Sequence, residues 1–379
     1  MHALEPTTSR RSERILQLAL FLTSVFWFVA ADAIAGRAAR GISQRFNILA
    51  ARPLLTSIFL LFLLALGFSI LQAITKRGSS LRDVLGLPKR PTAAREWSQG
   101  AALGWGLVVL AILPMALART MTVQLWLQPR AFRLLALHLA TLAVAALAEE
   151  VAFRGFAFRR LIDAVGPTAA TIFLSLLFGI AHMLNPGSTW TSTIITTLAG
   201  LLLAIAWLRT RGLWLGWGFH FAWNASIAIL FGLPISGITD FASIIQTRTF
   251  GHFWLTGGDY GPEGANLTAI VLLIGIAVLV RITRDYAWHY TWTPIEGAAY
   301  PMDAPPPAAH IAMEKQTQAQ QARPAAPPPL VQIQPQIQSQ AQIQSQTLPL
   351  STSVPPPPRP APPPPMPDSI PDSIPDPKP

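Results

Sequence analysis

Two adjacent glutamates and an arginine, Glu149, Glu150 and Arg154, stand in the otherwise apolar stretch AALAEEVAFRGF. A charge near the centre of a bilayer costs about 2.5–3.5 kcal/mol on insertion scales, so ionisable residues there are rare and tied to function. Two further apolar stretches carry His182 (LLFGIAHMLN) and His220 with Asn224 (GWGFHFAWNAS). A carboxylate that takes a proton, imidazoles and an amide are what hydrolysis of a carbonyl needs: a base for water and donors for the oxyanion.

Spacing refines this. Glu150 and Arg154 are four apart, hence neighbours on one helical face and able to pair, while Glu149 is rotated about 100° away. His220 and Asn224 have the same four-residue relation, as do Phe178 and His182, where the ring can wall off the imidazole. A helix running on to about Leu161 puts Glu149 about 15 Å inward from Arg159 and Arg160. His182 lies at a similar depth on the next, antiparallel helix, and His220 about 10–15 Å beyond Arg211. One shared cavity is the expectation.

The elements that must hold these groups are membrane helices. The chain has 379 residues, 51% apolar and 12% charged, with mean hydropathy +0.41. A soluble protein carries about 25% charged residues. A hydrocarbon core of about 30 Å takes roughly 20 apolar helical residues, which yields about eight candidate spans. They lie near 15–36, 50–74, 97–117, 132–160, 167–184, 190–208, 213–235 and 265–281. The fold class predicted is an all-α polytopic membrane protein.

Arg10, Arg11 and Arg14 precede the first span and no small-residue cleavage site follows it, which reads as a signal anchor. With the N-terminus inside, fifteen Lys and Arg fall in inside segments and eight in outside ones. The positive-inside rule then places both termini in the cytoplasm, and the net charge of +10 reflects topology, with no nucleic-acid partner. There are no cysteines, which excludes thiolate chemistry and disulfides.

The basic loop 75–97, with its apolar Val84–Leu87 patch, is expected along the cytoplasmic face beside anionic lipid. The loop 236–264 reads as an outer lid or a partly re-entrant segment. Tyr286, Trp288, Tyr290 and Trp292 alternate like an interfacial aromatic belt. From Pro301 the composition shifts: the last 79 residues hold 24 of the 35 prolines, with glutamine runs. Such a tail lacks the apolar content to order itself and reads as a spacer, or as a PxxP docking segment for a cytoplasmic partner. Three regions result: 1–94, N-terminal helices and basic loop; 95–285, the core; and 286–379, the aromatic segment and disordered Pro/Gln-rich tail.

EEVAFR, FGIAH and HFAWN resemble, in this order and on the fourth, fifth and seventh helices, the EExxxR, FxxxH and HxxxN motifs of the CAAX protease and bacteriocin-processing membrane proteases (CPBP, also called Abi). This family includes the type II CAAX prenyl proteases, and the likeness spans roughly 95–235. It implies an intramembrane endopeptidase acting on a membrane-anchored protein or peptide. Glu149 would be the base, His182 would hold the water, and His220 and Asn224 would face the oxyanion. Glu150, paired with Arg154, would orient the helix and keep a second negative charge off the base. A zinc site of Glu149, His182 and His220 is the competing version, placed slightly behind the metal-free one because HExxH is absent. A non-catalytic immunity or scaffold protein keeping the same fold is the alternative from another class, and a proton-relaying transporter is a more distant one. A bacterial inner membrane fits the loops and tail. The substrate, and whether it is prenylated, is not written in these residues.

Overall fold

The computed structural model describes residues 7–75 and 80–284. Lys76, Arg77, the Tyr286–Trp292 segment and the Pro/Gln-rich tail lie outside the described residues. Within them the chain is almost entirely helical: α1 (Thr7–Arg45), α2 (Arg52–Ile74), a short α3 (Leu81–Val84), α4 (Ala93–Leu117), α5 (Pro129–Arg154), α6 (Phe156–Val165), α7 (Pro167–Ala181), α8 (Trp190–Thr210), α9 (Trp214–Ala225), a short α10 (Phe253–Thr256) and α11 (Asn266–Ile282). Six helical stretches are long and apolar enough to cross a membrane. Large apolar side chains such as Phe26, Phe62 and Ile70 are left exposed on their outer faces. This is a multi-pass membrane protein.

The expected spans correspond to observed helices, with two differences. The fourth does not continue to Leu161. It stops at Arg154, turns at Gly155, and restarts as α6. A Cβ at Gly155 would collide with the backbone carbonyl of Val151, so the turn needs glycine there. The seventh is shorter than expected: α9 has 12 residues and a π-helical turn of 5, Ser226–Leu230, continues it. A π turn widens the backbone spiral and recurs beside functional residues.

Helices approach closely where side chains are smallest. A Cβ at Gly104 of α4 would lie 3.2 Å from the backbone nitrogen of Trp223, and one at Gly218 would strike the Trp97 backbone. Small residues let backbones touch, the main route to tight packing when lipid supplies no hydrophobic drive. This contact fixes α9, and so His220, against α4. Trp217 Nε1 donates to the Ala143 carbonyl at 2.9 Å and ties α9 to α5 as well.

Two apolar clusters form the interior. One joins α1, α2, α5, α6 and α7 through residues such as Leu20, Phe68, Phe156 and Phe178. The other joins α4, α8, α9 and α11 through Leu107, Leu202, Phe219 and Leu272. The candidate site lies on the seam between them.

The two ends of the bundle are closed differently. At the end where α4 begins, the segment after Ser80 packs onto protein: Val84 is buried, Arg159 Nη2 donates to its carbonyl at 2.8 Å, and the Leu213 amide donates to the Gly86 carbonyl at 2.8 Å. The Val84 side chain therefore joins the core instead of facing lipid, because α6 and the start of α9 offer it an apolar seat. Where α4 ends, two strands not anticipated from sequence, β1 (Met121–Leu125) and β2 (Ile245–Thr249), pair antiparallel from Met121 opposite Thr249 to Leu125 opposite Ile245. They anchor the 231–264 segment across that end.

Candidate active site

Glu149, His182, His220, Asn224 and Phe178 line one cavity of about 360 Å³. α5 supplies the glutamate, the end of α7 supplies Phe178 and His182, and α9 supplies His220 and Asn224. Glu150 and Arg154 stand directly behind this wall.

The Glu149 side chain is 36% exposed and that of Glu150 only 1%, so the rotation between neighbours separates a carboxylate facing the cavity from one held inside protein. Glu150 Oε1 accepts from Arg154 Nη1 at 3.2 Å and faces His220 Nδ1 at 3.0 Å. Its Oε2 fits because position 216 is glycine; a Cβ there would lie 3.1 Å from that oxygen. Arg154 also donates from Nη2 to the Gly200 carbonyl at 3.3 Å, and its guanidinium sits 4.3 Å from the centre of the Phe178 ring. Hydrogen bonds and an aromatic face thus replace the water that this cation has lost.

His220 has a carboxylate near each ring nitrogen. Opposite Glu150, its Nε2 lies 3.7 Å from Glu149 Oε2. That separation exceeds a direct hydrogen bond. With Nδ1–H on Glu150, the neutral ring presents a lone pair at Nε2, and the doubly protonated ring presents a donor. His182 is fixed similarly: Nδ1 donates to the Phe178 carbonyl at 2.8 Å, and its ring centre is 4.5 Å from that of Phe178. Phe178 therefore contacts His182, Arg154 and, edge-on at 6.3 Å, His220.

The zinc alternative requires Glu149, His182 and His220 to converge. Among the described residues no three histidine or carboxylate side chains are gathered at metal-ligand spacing. His220 Nδ1 is engaged by Glu150 and His182 Nδ1 by a backbone carbonyl, which leaves Nε2 of each ring as the nitrogen still available.

Residues 131–226 match a family described as type II CAAX prenyl endopeptidase Rce1-like. The helices that carry the site are thus similar to those of Rce1-like endopeptidases. The match runs from the start of α5 through α9 and includes EEVAFR, FGIAH and HFAWN, so the resemblance read from these motifs holds over a shorter stretch than 95–235. The family likeness is that of a membrane endopeptidase. No curated protein and no solved structure matches the chain.

Other parts of the cavity wall lie outside the matched segment, and of these only the 236–264 loop was anticipated from sequence, as an outer lid or a re-entrant segment. Asp32 and Phe28 of α1 form part of its wall. From the 231–264 segment, Ser236, Ile238, Phe241 and Glu263 cover it, so this segment is a lid. Glu263 is the clasp: Oε1 accepts from Trp223 Nε1 at 2.8 Å, and Oε2 from the Ser236 amide at 2.5 Å and its hydroxyl at 2.8 Å. His138 ties the lid to α5 by donating from Nδ1 to the Phe241 carbonyl at 3.0 Å. The only available signal for Glu263 was its charge within a turn-rich loop. For Asp32 it was an acid inside an apolar run.

Proposed function

We propose that this chain is a CAAX-protease-like endopeptidase that hydrolyses a peptide bond of a membrane-associated protein or peptide with a water activated by Glu149. The observation that carries this reading is the placement of His220 between a cavity-facing and a buried carboxylate, at the wall of a largely apolar cavity.

In this reading Glu149 takes a proton from water as the oxygen attacks the carbonyl carbon, with His182 holding the water. The oxyanion forms against His220 Nε2–H and the Asn224 amide. Glu150 keeps Nδ1 engaged, so a doubly protonated ring turns its second N–H to the oxyanion. As the intermediate collapses the C–N bond breaks, and Glu149 returns its proton to the leaving amine. A positioned base contributes about 10²–10⁴-fold and one oxyanion donor about 10²–10³-fold. No step is routed through a metal.

The bundle end bearing Arg82, Arg90, Arg95, Arg159, Arg160, Arg209 and Arg211 faces the cytoplasm of a bacterial inner membrane in this proposal, following the positive-inside rule. The partners are the lipid bilayer and an anchored substrate.

The deciding experiment compares new protein termini, by mass spectrometry, in cells carrying wild type, Glu149→Gln or His182→Ala at matched abundance. Termini that vanish in both variants establish proteolysis. Identical terminus profiles, with Glu149→Gln still rescuing a deletion phenotype, would move the assignment to a non-catalytic binding protein.

A further inference from the structure

The strand pair at the lid end has two unlike faces. Opposite residues of a β ladder share a face, and successive residues alternate between faces. Met121, Val123 and Leu125 therefore stand with Ile245, Thr247 and Thr249 on one side, and Thr122 and Gln124 with Gln246 and Arg248 on the other. The apolar side is open: Val123, Leu125 and, just past the strand, Leu127 are 53%, 65% and 66% exposed, with Trp126 exposed between the last two. Phe250, Phe253 and Trp254 are exposed at the far end of the pair. The backbone joins both groups to one ribbon, since the Phe250 amide donates to the Thr120 carbonyl at 2.9 Å and the Trp126 amide to the Ile244 carbonyl at 2.8 Å.

The chain path keeps this ribbon at the bilayer surface. Residues 118–120 alone separate β1 from the end of α4, and residues 126–128 alone separate it from the start of α5. Three extended residues reach at most about 10 Å. Leu117 on the last turn of α4 and Phe132 on the first turn of α5 are exposed, so the apolar outer surface of both spanning helices runs up to the ribbon. An exposed apolar row of this length marks an interaction site. Its continuity with the lipid-facing helix surfaces makes the bilayer its partner.

We infer that the β1–β2 ribbon is an interfacial membrane anchor for the lid. Val123, Leu125 and Leu127 rest on acyl chains, Trp126 and Trp254 lie at the headgroup level that suits amphipathic rings, and the side bearing Gln124 and Arg248 faces water. The Thr247 amide of β2 donates to the Gly232 carbonyl at 2.9 Å, so the first residues of the lid hang from an element seated in lipid. The lid is thereby held from two sides, by the Glu263 clasp within the protein and by the ribbon at the membrane surface. This anchoring does not depend on the endopeptidase reading.

The chain has no cysteines, so a single introduced one carries a nitroxide label without competition. The full-length variants Thr122→Cys, Val123→Cys, Gln124→Cys, Leu125→Cys and Leu127→Cys, labelled and reconstituted in vesicles of phosphatidylethanolamine and phosphatidylglycerol, are compared by spin-label collision rates. Oxygen concentrates in lipid, whereas a polar nickel chelate stays in water. The ratio of oxygen to nickel collisions should be several-fold higher at 123, 125 and 127 than at 122 and 124. All five positions are exposed, and the alternation stays readable if one variant fails to fold. Uniformly low ratios would overturn the inference by placing the ribbon in water. Low collision rates with both reagents at 123, 125 and 127 would overturn it too, because a protein surface, such as a second copy of this chain, then covers the apolar side.

Discussion

Nδ1 of His220 and Oε1 of Glu150 lie 3.0 Å apart, and that same oxygen receives Arg154 at 3.2 Å. The second glutamate of the pair is therefore the joint between α5 and α9, and it sets which nitrogen of His220 is left for the cavity.

Glu150→Gln keeps the shape of this joint and removes its charge. The amide cannot hold both an imidazole N–H and a guanidinium on one oxygen as firmly, so His220 loses its fixed tautomer. Turnover should fall about 10²-fold with little change in KM, whereas Glu149→Gln should fall about 10³-fold or more. Steady-state cleavage by the purified protein, using a peptide spanning a mapped site, separates the two.

Arg154→Ala strands Glu150 as a buried charge, which costs about 3–5 kcal/mol. Its melting temperature in detergent should drop sharply. Arg154→Lys should recover only part of this, because an ammonium cannot reproduce the planar contacts to Glu150, Gly200 and the Phe178 ring. Equal stability of all three proteins would count against the pairing.

Gly218→Ala pushes a methyl group into the Trp97 backbone and should loosen α9 from α4, lowering both stability and turnover. Gly106→Ala on the same α4 is the control: nothing lies within 4 Å of its Cβ, so stability should hold or rise slightly.

Glu263→Ala releases Trp223 and Ser236 and so unclasps the lid. Trypsin should then cut faster at Arg248, which is exposed on β2, and KM should rise more than kcat falls. Trpsin cleavage unchanged from wild type would show that the strand pair alone holds the lid.

Tyr260, inside the lid, has its phenol pushed above the ordinary value of 10.0, first by burial and then by the negative charge of Glu263. A raised pKa means that the folded state favours the neutral phenol. Its stabilising effect is complete below pH 10 and is lost as pH rises through the folded value. Wild type should lose stability on alkaline titration more steeply than Tyr260→Phe, as read from melting curves between pH 8 and 11.

The helices were legible because twenty-residue apolar runs have few alternatives in lipid, and the motif residues because charge inside such runs is expensive. The break at Gly155 was less so: a short amphipathic α6 continues the apolar pattern of α5 and hides the turn. β1 and β2 were invisible for another reason, since each is five residues long and pairs with a segment more than a hundred residues away. Glu263 and Asp32 join the site only through tertiary packing. No local spacing links either one to Glu149.

Biosynthesis gives the Glu150 joint a timetable. Arg154 is four residues from Glu150 and emerges with it, whereas His220 follows 70 residues later. α5 thus reaches the bilayer with its second acid already matched by a cation of its own. The groups that complete the site arrive only when α9 and then the lid are made. A nascent chain carries Glu149 from early on and has no assembled cavity around it until the last helices are threaded.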